Sequence, residues 1–213
     1  MWLGTRLWSL RNDGGRITSG VLLILFVAST IWAALTVAAP LLVPSDTLLD
    51  LTGTVGMREN DAQFESLSIV PRTIYIIGDL ECHQIAERSY FLNGNQMPFC
   101  SRDLGLFLGI ALGFGIATFF ILQLNPMWLL IGLVPIGLDG GLQLVTEYES
   151  TNPMRLVTGM VGGAALALLL ASFVLAFRED AKRTPSFEQE RLKENMNTSL
   201  DADVEGRFDE DGQ

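Results

Sequence analysis

The chain has 213 residues, 49% of them apolar, and a mean hydropathy of +0.34, too hydrophobic for an ordinary soluble domain and too short for a large transporter. Its formal net charge of −10 excludes a nucleic-acid binder, because no basic stripe is present to replace phosphate counterions. What remains is a small all-α protein that crosses a bilayer several times, with lipid as its first partner.

Residues 1–16 form a flank with Arg6, Arg11 and Arg16 against Asp13. The apolar run 17–43 that follows meets the requirement of about 20 residues for a helix crossing hydrocarbon. A cleaved signal peptide is the other reading of this start. The run is longer than the usual signal core of about 7–15 residues, and Pro40 stands where cleavage after Val37-Ala38-Ala39 would fall. Residues 44–103 are polar enough to lie outside the bilayer, with part of the loop expected as an interfacial helix over the mouth of the bundle.

Three further spans, 104–124, 127–145 and 156–177, make a three-helix membrane core over 104–177. Proline disfavours helix at the residue before it, so Asn125-Pro126 and Asn152-Pro153 punctuate the core as tight connections. Gly105, Gly109 and Gly113 repeat every four residues, as do Gly159 and Gly163, a spacing that lets helices approach closely in lipid. These glycines lack the strand and the Lys or Ser of a phosphate-cradling loop.

The tail, 178–213, holds eleven Asp or Glu against six Lys or Arg, a net of −5, and its composition predicts disorder. Such acidity would suit a salt-rich cytoplasm. Arg178, Lys182 and Arg183 at the end of the fourth span and the arginines before the first belong in the cytoplasm by the positive-inside rule, which places both termini inside a cell membrane. The loop 44–103 and the turn 146–155 then share the outer face.

That face gathers Glu81-Cys82-His83-Gln84, Arg88, Cys100-Ser101-Arg102-Asp103 and Arg155, including both cysteines and the single histidine of the chain. Asp139 lies within the third span six residues from its outer end, about 9 Å deep at 1.5 Å per residue, with Gln143 one turn above it. Titratable groups at such a depth mark sites or buried pairs. Tyr75, Tyr90, Phe91, Phe99 and Tyr148 read as an interfacial aromatic belt.

The run Cys82-His83-Gln84, Glu87-Arg88-Ser89-Tyr90-Phe91, Gly94, Gln96-Met97-Pro98, Cys100, Arg102-Asp103, Gly105 and Gly109 resembles the prokaryotic membrane family named domain of unknown function 2085. Leu138-Asp139-Gly140, Gln143 and Ser150-Thr151-Asn152-Pro153 with Arg155-Leu156 and Thr158-Gly159 are similar to its second half. The resemblance covers roughly 75–170 and implies a membrane protein of unestablished activity. The resemblance implies Cys-x-Arg-Cys in many relatives at the position where this chain has Cys100-Ser101-Arg102-Asp103.

Several chemistries fit these residues. Cys82 and Cys100 on an oxidising face could form a disulfide, whose loop of about nineteen residues is worth on the order of 3 kcal/mol. Cys82, His83, Cys100 and Asp103 instead offer the thiolate, imidazole and carboxylate donors of a zinc site, although the side chains of adjacent Cys82 and His83 diverge in regular backbone. A thiol nucleophile activated by His83 needs a facing base that the same adjacency does not supply.

Asp139 and Asp103 could instead work as acid and base, with Arg155 and Arg102 orienting a substrate. This would make the chain a membrane-embedded hydrolase acting on a lipid-linked or membrane-tethered substrate, a plan similar at fold level to the lipoprotein signal peptidases. Alternatively Asp139 pairs with Arg102 or Arg155 as a buried ion pair, while Arg88, Arg102 and Arg155 clamp an anionic headgroup. A non-catalytic scaffold with a stapled external loop, and a small transporter that would need to oligomerise, are the other classes that four spans allow.

Overall fold

A computed structural model of the chain describes residues 10–11, 19–122, 125–177 and 196. The chain divides into two compact units, Met1–Ser172 and Phe173–Gln213. Of the second, the described residues are the last helical turn, 173–177, and Met196. The expected flank 1–16 and acidic tail 178–213 therefore lie outside the described residues, apart from Leu10–Arg11 and Met196.

The first unit is helical. β1 (Leu10–Arg11) makes only a two-residue antiparallel pairing with β4 (Ile121–Leu122). Helix α1 (Gly20–Ala38) tightens into a short 3-10 turn, Ala39–Leu42, where Pro40 ends regular hydrogen bonding. The loop that follows carries α2 (Asp61–Phe64), α3 (Ile69–Glu81) and a two-residue hairpin of β2 (Phe91–Leu92) and β3 (Asn95–Gln96). Asn93 and Gly94 turn that hairpin with φ of +54° and +71°, the left-handed pair that a tight hairpin requires. Then come α4 (Ser101–Phe119), α5 (Pro126–Gly132), α6 (Val134–Val145) and α7 (Asn152–Phe177).

Four segments are long and apolar enough to cross a membrane: Gly20–Leu42, Ser101–Phe119, Pro126–Val145 and Asn152–Phe177. They match the four expected spans, with three corrections. α4 begins at Ser101, so Arg102 and Asp103 sit in its first turn, where Asp103 complements the helix dipole. α7 begins at Asn152, with Pro153 in a position where a missing N–H costs nothing, and Arg155 is helical too. The third span is not one uniform helix: Pro135 cannot donate to the preceding turn, and the chain breaks at Leu133 between α5 and α6.

The glycines do what their spacing implies. A Cβ on Gly105 or Gly109 would lie closer than 3.0 Å to the carbonyl oxygens of Leu156 or Met160, and one on Gly159 or Gly163 would meet those of Arg102 or Leu106. α4 and α7 are thus in reciprocal backbone contact. α1 packs along α4 through Phe26 against Phe119 and through a cluster of Trp32, Phe99 and Phe107 with ring centroids 5.1–5.9 Å apart.

The segment between α1 and α4 packs around a core of Val43, Leu48, Leu51, Phe64, Ile74, Tyr75 and Phe99, against which Trp32 and Leu35 of α1 and Phe107 of α4 also pack. Tyr75 and Phe99 are buried there, not part of an interfacial belt; Tyr90 is half-buried, and Phe91 and Tyr148 are exposed. Buried amides replace regular backbone pairing in this segment. Asn95 accepts from the N–H groups of Thr47 and Leu48 at 2.9 Å and donates to the carbonyls of Pro40 and Pro44. Gln96 accepts from Leu51 N–H at 2.9 Å and donates to the carbonyl of Gln84. Asp79, wholly buried, accepts from the backbone and side chain of Asn60 at 3.1 and 2.6 Å.

Two outcomes follow. Gly109→Ala should force α4 and α7 apart and lower stability in detergent by about 1–3 kcal/mol, whereas Gly137→Ala, whose Cβ meets nothing within 4 Å, should be neutral; thermal melts of both variants check this. The Tyr75 hydroxyl donates to the Gln96 carbonyl at 2.6 Å, and burial pushes its phenol above the ordinary range. The unfolded phenol ionises near pH 10 and the folded one only above it, so the stability Tyr75 confers is complete below about pH 10 and lost as pH rises further. Tyr75→Phe should flatten that alkaline decline in a melting-temperature profile.

Candidate functional site

The site starts from a glycine. A Cβ on Gly78 would fall closer than 3.0 Å to the carbonyl of Pro98, so the last turn of α3 lies directly against the strand entering α4. Cys82 leaves α3 in extended conformation while its N–H still donates to Gly78 at 2.9 Å. Gln84 follows with φ of +47°, buried, its amide donating to Pro98 at 2.8 Å and accepting from Asn60 at 3.4 Å. Those contacts bring Cys82 to Cys100, the residue that caps α4.

The backbone N–H of Cys100 donates to Cys82 Sγ at 3.4 Å, and the Cys100 thiol donates to Asp103 Oδ2 at 3.0 Å. One donor atom from each of Cys82, Cys100 and Asp103 lies within 4.8 Å of the others. Both cysteines are free thiols. They titrate unlike each other: the neighbouring Cys100 side chain holds the Cys82 thiol below its ordinary range, while the nearby Cys82 sulfur, burial and Asp103 drive Cys100 well above. The two thiols therefore lose their protons in separated steps that belong to the pair.

The arginines arrive from two helices and the loop. Arg102, in the first turn of α4, donates through Nε at 3.2 Å and a terminal nitrogen at 2.5 Å to Oδ2 of Asp139 on α6. Thr158 of α7 reaches the same oxygen at 3.5 Å, whereas Oδ1 has no hydrogen-bond partner among the described residues. Arg88 pairs with Glu149 at 2.9 Å in an exposed bridge. Arg155 is only 3% exposed, yet its partners are neutral: Ser150 Oγ at 3.1 Å and Gln143 Oε1 at 3.5 Å. Among the described residues no carboxylate pairs with it.

A cavity of about 290 Å³ joins these groups, lined by Glu81, Cys82 and His83, by Arg88, Arg102 and Arg155, and by Cys100, Asp103 and Gln143. The residues expected at one rim are thus together, at the end of the first unit where α3 and α6 finish and α4 and α7 begin. The members have different places, however. Asp139 is not among the residues lining the cavity; it is the buried partner of Arg102. His83 is exposed at the cavity and stands outside the three-donor cluster.

The residues that hold the site were harder to see from sequence. Gln84, Asn95 and Gln96 sit in runs of polar residues that look solvated, and nothing in their spacing announces burial. Gln143, placed one turn above Asp139 by periodicity, works instead with Ser150 and Arg155.

The model of the family described as Predicted membrane protein (DUF2085) matches residues 82–169, a stretch that opens on Cys82 and includes Cys100, Arg102, Asp103, Asp139 and Arg155. The chain belongs to this family. An uncharacterised protein of Methanocaldococcus jannaschii is 36% identical over 96 residues, a match covering 42% of this chain and 61% of that relative, so the chain spans about three fifths of its length. An uncharacterised protein of Methanothermobacter thermautotrophicus is 34% identical over 91 residues, covering 41% of this chain and 82% of that protein. No solved structure matches the chain. The family match covers the three-helix core and the thiol loop but not α1 or most of the external core.

The ion pair at Asp139 has a measurable signature. Asp139→Asn leaves Arg102 without its counter-charge and should cost about 3–5 kcal/mol, seen as lower accumulation and a lower melting temperature. The double variant Arg102→Met with Asp139→Leu should recover most of that loss, as a matched apolar replacement of a buried pair does. Melts of the single and double variants in one detergent check it.

Proposed function

We propose that this membrane protein recognises an anionic group, a phosphate or carboxylate carried by a membrane-borne substrate, in the arginine-lined cavity. By the charge bias of the flanking segments, that cavity opens on the extracytoplasmic face of the cell membrane. The observation that carries the reading is Arg155: a residue only 3% exposed, lining the cavity, whose hydrogen bonds among the described residues go to neutral oxygens. A buried charge without a counter-charge costs several kcal/mol. An anion entering the cavity would supply that counter-charge, and Arg's fork is suited to two-point contact with carboxylate or phosphate. Arg88 and Arg102 line the same opening but each is already paired with a carboxylate, which leaves Arg155 as the lining cation with no ion pair among the described residues.

Among the enzymatic readings, a hydrolase acting on such a substrate retains Asp103 as the carboxylate at the cavity. Pairing it with Asp139 as acid and base has less support, since Asp139 Oδ2 is taken by Arg102 and Thr158. The geometry favours recognition by arginine over an aspartate dyad.

The test uses full-length protein in phosphatidylcholine nanodiscs, titrated with inorganic phosphate in one arm and with increasing phosphatidylglycerol content in the other, with thermal stability as readout. Wild type should be stabilised by the anion. Arg155→Gln should weaken binding on the order of 10- to 100-fold, the worth of a charge-assisted hydrogen bond, with Arg155→Lys in between. Response in the phosphatidylglycerol arm alone assigns the anion to lipid, and response to phosphate alone assigns it to a soluble group. Anion binding undiminished in Arg155→Gln, or no response in either arm, would overturn the proposal.

A further inference from the structure

The thiol and carboxylate cluster stands apart from the arginines in its chemistry. Cys82, Cys100 and Asp103 bring three anion-forming donors within 4.8 Å of one another. A zinc-class ion with bonds of about 2.3 Å to sulfur and about 2.0–2.2 Å to oxygen holds its donors roughly 3.5–4 Å apart, so the observed cluster needs only a small contraction. Among the described residues Asp103 makes no ion pair with Lys or Arg, although three arginines line the same cavity. Its oxygen is turned instead to the Cys100 thiol. A carboxylate bonded to one thiol, with a second thiol within 4.8 Å and no ion pair to the neighbouring guanidinium groups among the described residues, is an anionic concavity that a cation would complete.

We infer that Cys82, Cys100 and Asp103 form a binding site for a divalent transition cation of the zinc class, with the fourth coordination position facing the cavity. Two sulfur donors select zinc-like ions over magnesium or calcium, which take oxygen sets. The support is already built. Gly78 against Pro98 and the buried Gln84 fix the Cys82 backbone, α4 fixes Cys100 and Asp103, and the Cys100 N–H bonded to Cys82 Sγ is the outer contact that orients a thiolate ligand. All three donors line the cavity, so the remaining position is open to water or a substrate oxygen, the coordination count of catalytic and not structural zinc centres. His83 is a cavity residue in this arrangement, not a ligand. The inference stands on the donor geometry and is independent of the anion reading.

The experiment is metal loading of the full-length protein, purified in detergent with reductant, using zinc alone and, separately, cobalt as a spectroscopic stand-in. Expected are one zinc per chain, a thiolate-to-cobalt charge-transfer band, and protection of both thiols from alkylation that chelator removes. Cys82→Ser or Cys100→Ser should abolish the band and Asp103→Asn should weaken zinc binding at least tenfold, while His83→Ala keeps full stoichiometry. Should the cysteine variants fail to fold, the cobalt band and chelator-reversible protection in wild type still decide. Substoichiometric zinc with both thiols alkylatable, or a Cys82–Cys100 disulfide whose reduction yields no zinc protection, would overturn the inference. Loss of zinc in His83→Ala with retention in Asp103→Asn would replace the ligand set and overturn it equally.

Discussion

The contact between the α3 backbone at Gly78 and the carbonyl of Pro98 is the constraint on which the site depends. It has no room for a side chain, and it sets two distant stretches of sequence at backbone separation. Gln84 then bridges the same two stretches with its amide, at a left-handed φ that an ordinary residue adopts at a cost. Cys82 lies between these two anchors, so its position opposite Cys100 is determined by main chain on both sides. The segment between α1 and α4 is therefore folded against the start of α4, with Cys82 held beside Cys100.

Charge at the cavity is arranged in three different ways. Arg102 and Asp139 neutralise each other within the helices, where an unpaired partner would be costly. Arg88 and Glu149 form an exposed bridge of the kind that contributes little to stability. Among the described residues Arg155 forms hydrogen bonds but no ion pair, and Asp103 is bonded to a thiol but to no arginine. These last two are the groups whose local surroundings leave an electrostatic demand, one for an anion and one for a cation, and they open on the same space.

The span count, the glycine contacts and the convergence of the cysteines, arginines and Asp103 were legible in the sequence because hydropathy and small-residue spacing are strong, one-dimensional signals. Gly105, Gly109, Gly159 and Gly163 sit in backbone contact as their period implies. Helix starts were less legible: Arg102 and Arg155 are polar, which reads as loop, yet each occupies a first turn where polar side chains face the cavity and not lipid. The break before Pro135 is hidden because the whole stretch remains apolar. The external core was least visible, since Asn95, Gln96 and Gln84 are buried as substitutes for backbone pairing and only the folded loop tells a buried amide from a solvated one. Tyr75 and Phe99 mislead for the related reason that an aromatic near a membrane has two ways to leave water.

The reciprocal glycine contacts of α4 and α7 also join the two helices carrying Arg102 and Arg155, and Gly159 touches the main chain of Arg102 itself. The backbone positions from which the two arginines project are thus set by peptide-to-peptide contact, with no side chain between the helices. A bilayer of different thickness would be met by tilting the helix pair as a single rod. Exposed apolar residues such as Leu108 and Val161 can accordingly vary with the host membrane while the backbone spacing of the two helices stays the same.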